Sequence, residues 1–257
     1  MTPPPDLRAL IVDVDGTLAE TERDGHRVAF NRAFASLGLD WEWDVLAYGH
    51  WLRVPGGRER LRAYIDARAD APAGHAARDE LARALHQCKN VEYAALVETG
   101  AIAARPGVLR LLDECAEEGL RVAVATTTGR SNIDALFPRL FGANWEARFA
   151  ALVCAEDAPR KKPDPLAYQL ALAGLGVDSA QALAIEDSPA GLAAARAADV
   201  RCLVTRSMYF AEAGFPGAVA VIDDLDAPPS WPGADGVRVG LGALRALHRS
   251  ARQACPA

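Results

Sequence analysis

Residues 9–12 form a short unbroken apolar run that stops on the polar cluster Asp13-Val14-Asp15-Gly16-Thr17. This is the pattern of a strand buried on both faces that delivers polar groups at its carboxyl end. It recurs at 122–125 before Thr126-Thr127-Thr128-Gly129, at 151–154 before Ala155-Glu156-Asp157, and at 182–185 before Glu186-Asp187-Ser188. Helical spacing between these runs predicts helices over 107–118, 131–140, 165–175 (Asp164 as N-cap before Pro165) and 189–198 behind Ser188. Two later runs, 201–204 and 218–222, extend the predicted sheet, and 239–252 reads as a closing helix. The alternation predicts an α/β fold, a doubly wound (Rossmann-like) parallel sheet, whose ligands bind beyond the carboxyl ends of the strands. Every polar cluster named here sits at such an end.

One connection is far too long. Asp13 and Thr126 stand 113 residues apart, whereas a strand-helix-strand crossover needs about 30. The excess shows helical spacing (Val28, Phe30, Ala33, Phe34, Leu37; Leu61, Tyr64, Ile65; Leu81, Leu85, Cys88) and no period of two. It predicts an all-helical cap over 20–99, inserted in a core of 1–19 and 100–257, with hinges near Ala19-Glu20 and at Ala104-Arg105-Pro106-Gly107.

Composition narrows the function classes. The 257 residues are 51% hydrophobic and 24% charged, which excludes a disordered or fibrous chain. A net charge of −6 gives no reason to expect nucleic acid or an anionic membrane, so an anionic substrate needs local cations. The only lysines are Lys89, Lys161 and Lys162. Five scattered cysteines (Cys88, Cys115, Cys154, Cys202, Cys255) form no metal-ligand spacing and read as free thiols in a reducing compartment. The first eight residues resemble neither a signal nor a transit peptide, and no run is long enough to span a membrane. A cytoplasmic protein is expected.

Asp13 and Asp15 stand two apart at a strand end, where paired carboxylates suit metal binding, acid/base work or both. Gly16 lets the chain turn away, and the Thr17 hydroxyl is expected to hold Asp15. For the bare dipeptide a solvated turn is an equal reading. The full run Asp13-Val14-Asp15-Gly16-Thr17-Leu18 resembles the first signature of the haloacid-dehalogenase superfamily of phosphotransferases. Its others follow in order: Thr126, then Lys162 within Lys161-Lys162-Pro163-Asp164-Pro165, then Glu186-Asp187-Ser188-Pro189-Ala190-Gly191. The resemblance covers everything but the C-terminal tail after Asp226.

That resemblance implies a division of labour suited to phosphate monoesters, whose uncatalysed hydrolysis is among the slowest known. Asp13 would be the nucleophile forming an aspartyl-phosphate, and Asp15 the general acid and then base. Mg2+ would be held by Asp13, the Asp15 backbone carbonyl and Asp187, with Glu186 a further ligand or just behind. Thr126 and Thr127 would donate to the phosphoryl group, and Lys162 would supply a compact cation. Lys161 is expected in solvent.

The cap resembles one branch, the CbbY-type phosphatases that act on xylulose 1,5-bisphosphate. The residues that carry this are Ala19-Glu20-Thr21-Glu22, Trp43-Asp44 with Tyr48, Gly56-Gly57-Arg58-Glu59-Arg60, and Ala125-Thr126-Thr127-Thr128 with Asn132. A bisphosphate needs a second anion site. Gly57 at a helix start with Arg58, and less so Arg60, offers one. Glu20 would meet sugar hydroxyls and Tyr48 would close on the ligand. Trp41, Trp43 and Trp51 read as cap packing. Asp24-Gly25-His26 is one residue longer than the branch's stretch, so no role falls to His26, and His50 and Val54-Pro55 fit no pattern.

The expected activity is therefore Mg2+-dependent hydrolysis of a small sugar bisphosphate, xylulose 1,5-bisphosphate to xylulose 5-phosphate, in a Calvin-cycle setting. A β-phosphoglucomutase-like mutase or another small-metabolite phosphatase, such as one for phosphoglycolate, is the alternative. The expected partner is a small phosphorylated sugar, without nucleic acid or membrane, and the expected state a monomer. A catalytically dead core is disfavoured because Asp13, Asp15, Lys162 and Asp187 are all present.

Overall fold

A computed structural model describes residues 6–234 and 236–250. Six strands, β1 (Ala9–Val12), β2 (Arg121–Ala125), β3 (Ala151–Val153), β4 (Ala182–Glu186), β5 (Arg201–Thr205) and β6 (Ala220–Ile222), form one sheet. Every pairing is parallel and the order is β3-β2-β1-β4-β5-β6. β1 is central, flanked by β2 and β4, at the point where the winding direction reverses. All four of its side chains are buried: Leu10 and Val12 face one layer, Ala9 and Ile11 the other.

Helices α5 (Val108–Glu117), α6 (Arg130–Phe141) and α9 (Leu241–Ser250) cover the first face, and α7 (Leu166–Leu175) and α8 (Pro189–Ala197) the second. The doubly wound sheet is thus the one expected from the apolar runs. Boundaries shift by one or two residues at several elements, and the closing helix begins at Leu241 rather than at 239. α7 begins at Leu166, one residue inside the expected start, with the Asp164 carboxylate accepting its N–H at 3.0 Å. The last two residues of the expected closing helix, like Cys255, lie outside the described residues. Cys115, Cys154 and Cys202 are buried free thiols, while Cys88 is only half-buried.

Between β1 and β2 the chain forms a π-helical turn (Glu22–His26) and helices α1 (Arg27–Ser36), α2 (Val45–Trp51), α3 (Gly57–Asp66) and α4 (His75–Glu98). These carry their own apolar cluster of Phe30, Phe34, Trp41, Trp43, Tyr48 and Tyr64, with Trp51 packed against it. Edge-to-face contacts such as Phe34–Trp43 at 5.1 Å and Trp43–Tyr64 at 4.9 Å order it. The tryptophans therefore pack, as expected.

The outgoing and returning strands of this excursion touch. Ala19 bridges Ala104 antiparallel, and the Arg105 N–H donates to Leu18 O at 2.8 Å. The buried Arg105 guanidinium then gathers the carbonyls of Gly16, Thr205, Arg206 and Asp223. It ties the first turn of the core to the ends of β5 and β6. Among the described residues no helix is long and apolar enough to cross a membrane.

Candidate active site

Asp13 leaves β1 with a buried side chain, and Lys162, from the loop before α7, reaches it at 2.6 Å. The same ammonium meets Glu186 at 2.5 Å, at the end of β4, and Tyr168 donates to that Glu186 oxygen at 2.6 Å. Glu186 is fully buried, and Gly191 in α8 lies so close that any Cβ would collide with its carboxylate. Asp187 completes the cluster beside Gly16, whose φ of +87° and lack of Cβ let the turn pass the carboxylate. Ser207, just past β5, donates to Asp187.

Burial strips these carboxylates of water and pushes Asp13 up to about 8, with Glu186 and Asp15 adding to the rise and Lys162 opposing it. Asp187 is driven well above its ordinary value by burial and by Asp13. Lys162 is also buried, yet Asp13 and Glu186 hold it above the ordinary lysine value.

Asp15 is held differently. Burial would raise its pKa, but His26 Nε2 at 3.0 Å and the hydroxyls of Thr128 and Thr21 overcome this and hold it well below the carboxylate range. Thr17, the expected partner, does not touch it, and its buried hydroxyl has no partner. His26 stacks on Tyr93 of α4 with centroids 4.2 Å apart. Thr21, His26 and Thr128 thus converge on one carboxylate from the hinge, the π-turn and the loop after β2.

Two cavities open from here. A small one of about 70 Å³ holds Asp13, Asp187 and Lys162, with Glu20 and Tyr209 on its walls. A larger one of about 290 Å³ lies under the helical insertion, and Asp15, Glu22 and Thr127 line both. Gly57, Arg58, Arg60 and Lys89 border the larger one. Thr126 lines neither, and its hydroxyl instead accepts the Thr128 N–H at 3.1 Å.

Of the expected substrate contacts, Arg58 is exposed at the first turn of α3 and has no ion pair among the described residues. Arg60 is buried and committed to Trp51 O and the Tyr48 hydroxyl. Tyr48 is fully buried, donates to Glu22 and lines neither cavity, so it supports the site from within the aromatic cluster rather than closing on a ligand. Glu20 sits 3.6 Å from Arg105. Lys161 is not solvated as expected: it donates to Ala155 O and Ala158 O.

Among the residues outside the expected set that border these spaces are Glu22, His26 and Lys89. Lys89 in α4 is buried over the Phe30 and Tyr93 rings at 5.4 and 4.8 Å, and no carboxylate among the described residues pairs with it. Burial draws its pKa down to about 8.

Asp13, Glu186 and Asp187 offer oxygens within 4.8 Å of one another, a hard all-oxygen donor set suited to Mg2+. Because Glu186 already accepts from Lys162 and Tyr168, Asp13 and Asp187 are the carboxylates left to hold an ion. A pH effect follows. Asp13 rises from 3.8 to about 8 on folding, so between those values the metal-free fold keeps a proton the unfolded chain has lost, and its stability falls as pH rises. A metal replaces that proton. The rise in Tm on adding Mg2+ should therefore be larger near pH 8 than near pH 6. Equal shifts in thermal melts at the two pH values would contradict this electrostatic picture.

The haloacid dehalogenase-like hydrolase family matches residues 7–199. The chain is 44% identical to the plasmid-encoded protein CbbY of Cupriavidus necator, over 94% of this chain and 97% of that one. It is 42% identical to CbbY of Rhodobacter capsulatus over 86% of this chain and 95% of that one. The fold superposes on the crystal structure of Rhodobacter sphaeroides CbbY, with TM-score 0.79, 40% identity and coverage of 85% and 94%. A variant of that protein with the same TM-score, 39% identical, was crystallised with xylulose-(1,5)bisphosphate. The chain belongs to the haloacid dehalogenase-like hydrolases, and within them to the CbbY-type phosphatases.

Proposed function

We propose that this phosphatase removes one phosphate from a small sugar bisphosphate, xylulose 1,5-bisphosphate foremost, with residues 20–99 acting as the cap that reads the sugar. The observation that carries this reading is a two-ended space. One end has the Asp13, Lys162 and Asp187 cluster, and the other the cations Arg58 and Lys89.

Asp13 attacks phosphorus through a carboxylate oxygen, forming an aspartyl-phosphate as the sugar oxygen departs. Lys162, fixed between Asp13 and Glu186, orients the nucleophile and faces the phosphoryl charge. Thr127, on the wall of both cavities, is placed to donate to the phosphoryl oxygens, while Thr126 shapes the loop. Bound Mg2+, held by Asp13, Asp187 and the Asp15 carbonyl, would neutralise phosphoryl charge.

Asp15 hands a proton to the leaving sugar oxygen, then takes one from the water that hydrolyses the phospho-enzyme, releasing inorganic phosphate. Its depressed pKa suits the second, basic half. For the first half it must be given a proton, and His26 is the ring in contact with it. At the far end, Arg58 and Lys89, which has no carboxylate partner among the described residues, meet the second phosphate, and Glu20 and Glu22 face the sugar hydroxyls.

The test is phosphate release from a panel of sugar phosphates in Mg2+. Ketopentose bisphosphates should be preferred, and strong release from glycolate or hexose monoesters with little from bisphosphates would overturn the reading. Removing the far cation sharpens it. Lys89→Met should raise KM for the bisphosphate by roughly ten- to a hundredfold, the range of one charge-assisted hydrogen bond, while sparing a small monophosphate.

A further inference from the structure

The connection from β5 to β6 carries a short turn, Met208–Phe210, that belongs to the sheet by chain connectivity but to the helical insertion by contact. The Tyr209 ring meets Tyr48 with centroids 5.6 Å apart at 65°. It also approaches α2 closely at Gly49, where a Cβ would stand 3.0 and 3.2 Å from two ring carbons. Phe210 packs at once on the sheet-side cluster around α7 and α8 and on the aromatic cluster of the insertion. Neighbouring contacts reach the hinge: Arg23 Nη1 lies 3.6 Å from Met208 Sδ, and the Met208 backbone donates to Glu20. Ser207, two residues before Tyr209, donates to Asp187. Tyr209 and Phe210 also wall the small cavity that holds Asp13.

We propose that Tyr209 is a positioning residue: its ring is the core's half of a latch that docks on Gly49 and Tyr48 and holds α2 closed over the carboxylates. The Tyr209 hydroxyl is buried without a partner among the described residues, so the ring and not the oxygen carries the role. Gly49 supplies the seat, because any side chain there would push the ring away. The inference rests on the phosphatase chemistry but not on which sugar is cleaved.

The experiment compares two substrates in one enzyme: the sugar phosphate the wild type turns over best, which fills the space under the insertion, and a small aryl phosphate, which does not. Tyr209→Ala should raise KM for the sugar phosphate about tenfold or more while the aryl phosphate is hydrolysed at the wild-type rate or faster. Tyr209→Phe should behave as wild type. Gly49→Leu, which blocks the seat from the other side, should reproduce the split of Tyr209→Ala and guards against a simple folding defect. Hydrogen exchange at residues 45–51 should quicken in both Tyr209→Ala and Gly49→Leu but not in Tyr209→Phe. Equal losses on both substrates, a Tyr209→Phe as impaired as Tyr209→Ala, or a Gly49→Leu indistinguishable from wild type would each overturn the latch.

Discussion

Asp13→Asn should abolish turnover, by about 10⁴-fold or more, the scale on which enzymes lose rate when a covalent nucleophile is removed. It should do so without unfolding the protein. Asp13 is a buried carboxylate pushed up to about 8, chiefly by the loss of its water. An amide of the same shape removes that charge, while Lys162 keeps Glu186 as a partner at 2.5 Å. Tm in the absence of metal should hold or rise, and the Mg2+-induced increase should shrink. The check is steady-state phosphate release beside a thermal melt of the same preparation, with acid-quenched phospho-enzyme measured in the wild type. Turnover within tenfold of wild type would remove Asp13 from the chemistry and with it the aspartyl-phosphate.

Lys162→Met should damage both fold and rate. The ammonium is the one cation wedged between Asp13 and Glu186. Without it, two buried carboxylates and the adjacent Asp187 face one another, and breaking such a pair on one side costs about 3–5 kcal/mol. In a chain of this size that corresponds to a fall in Tm of roughly 10 °C. Activity should fall by at least about 10²–10³, as when one fixed donor to a developing oxyanion is lost. Lys162→Arg separates the two effects, because its charge should restore part of the stability while its planar head cannot occupy the same point between two carboxylates. Urea melts and kinetics on the three proteins decide it. An unchanged Tm in Lys162→Met would mean that the ammonium adds nothing to the stability of the carboxylate cluster.

The sheet was legible because a strand buried on both faces has no alternative pattern: four or five apolar residues followed at once by acids or hydroxyls. The clustering of Asp13, Lys162, Glu186 and Asp187 was implied by the resemblance to the haloacid-dehalogenase superfamily, and Asp13, Glu186 and Asp187 each stand at a strand's carboxyl end. What escaped were contacts set by the phase of the inserted helices. His26 was set aside because the stretch from Asp24 carries one residue too many. The chain absorbs it as a π-turn, with the Arg27 N–H bonding Glu22 O, and His26 lands on Asp15. Lys89 did leave a trace. It falls in the buried stripe Ala82, Leu85, Lys89, Tyr93, Leu96 of α4, a cation where helical phase demands an apolar residue. Tyr48 and Arg60 are both buried and bonded to each other, a partnership that their residue types alone did not suggest.

The sheet order also governs when the protein can begin to act. β1 is the first of the six strands in chain order but a central one in the finished sheet, bonded to β2 on one side and β4 on the other. Asp13 therefore waits for Asp187, 174 residues later, before its cluster exists. At typical synthesis speeds that interval is roughly ten to thirty-five seconds. For the first 149 residues of it Asp13 lacks Lys162, and to the end of it Asp13 lacks Asp187. By strand order alone, the cluster of Asp13, Lys162 and Asp187 can assemble only after β4 has been made.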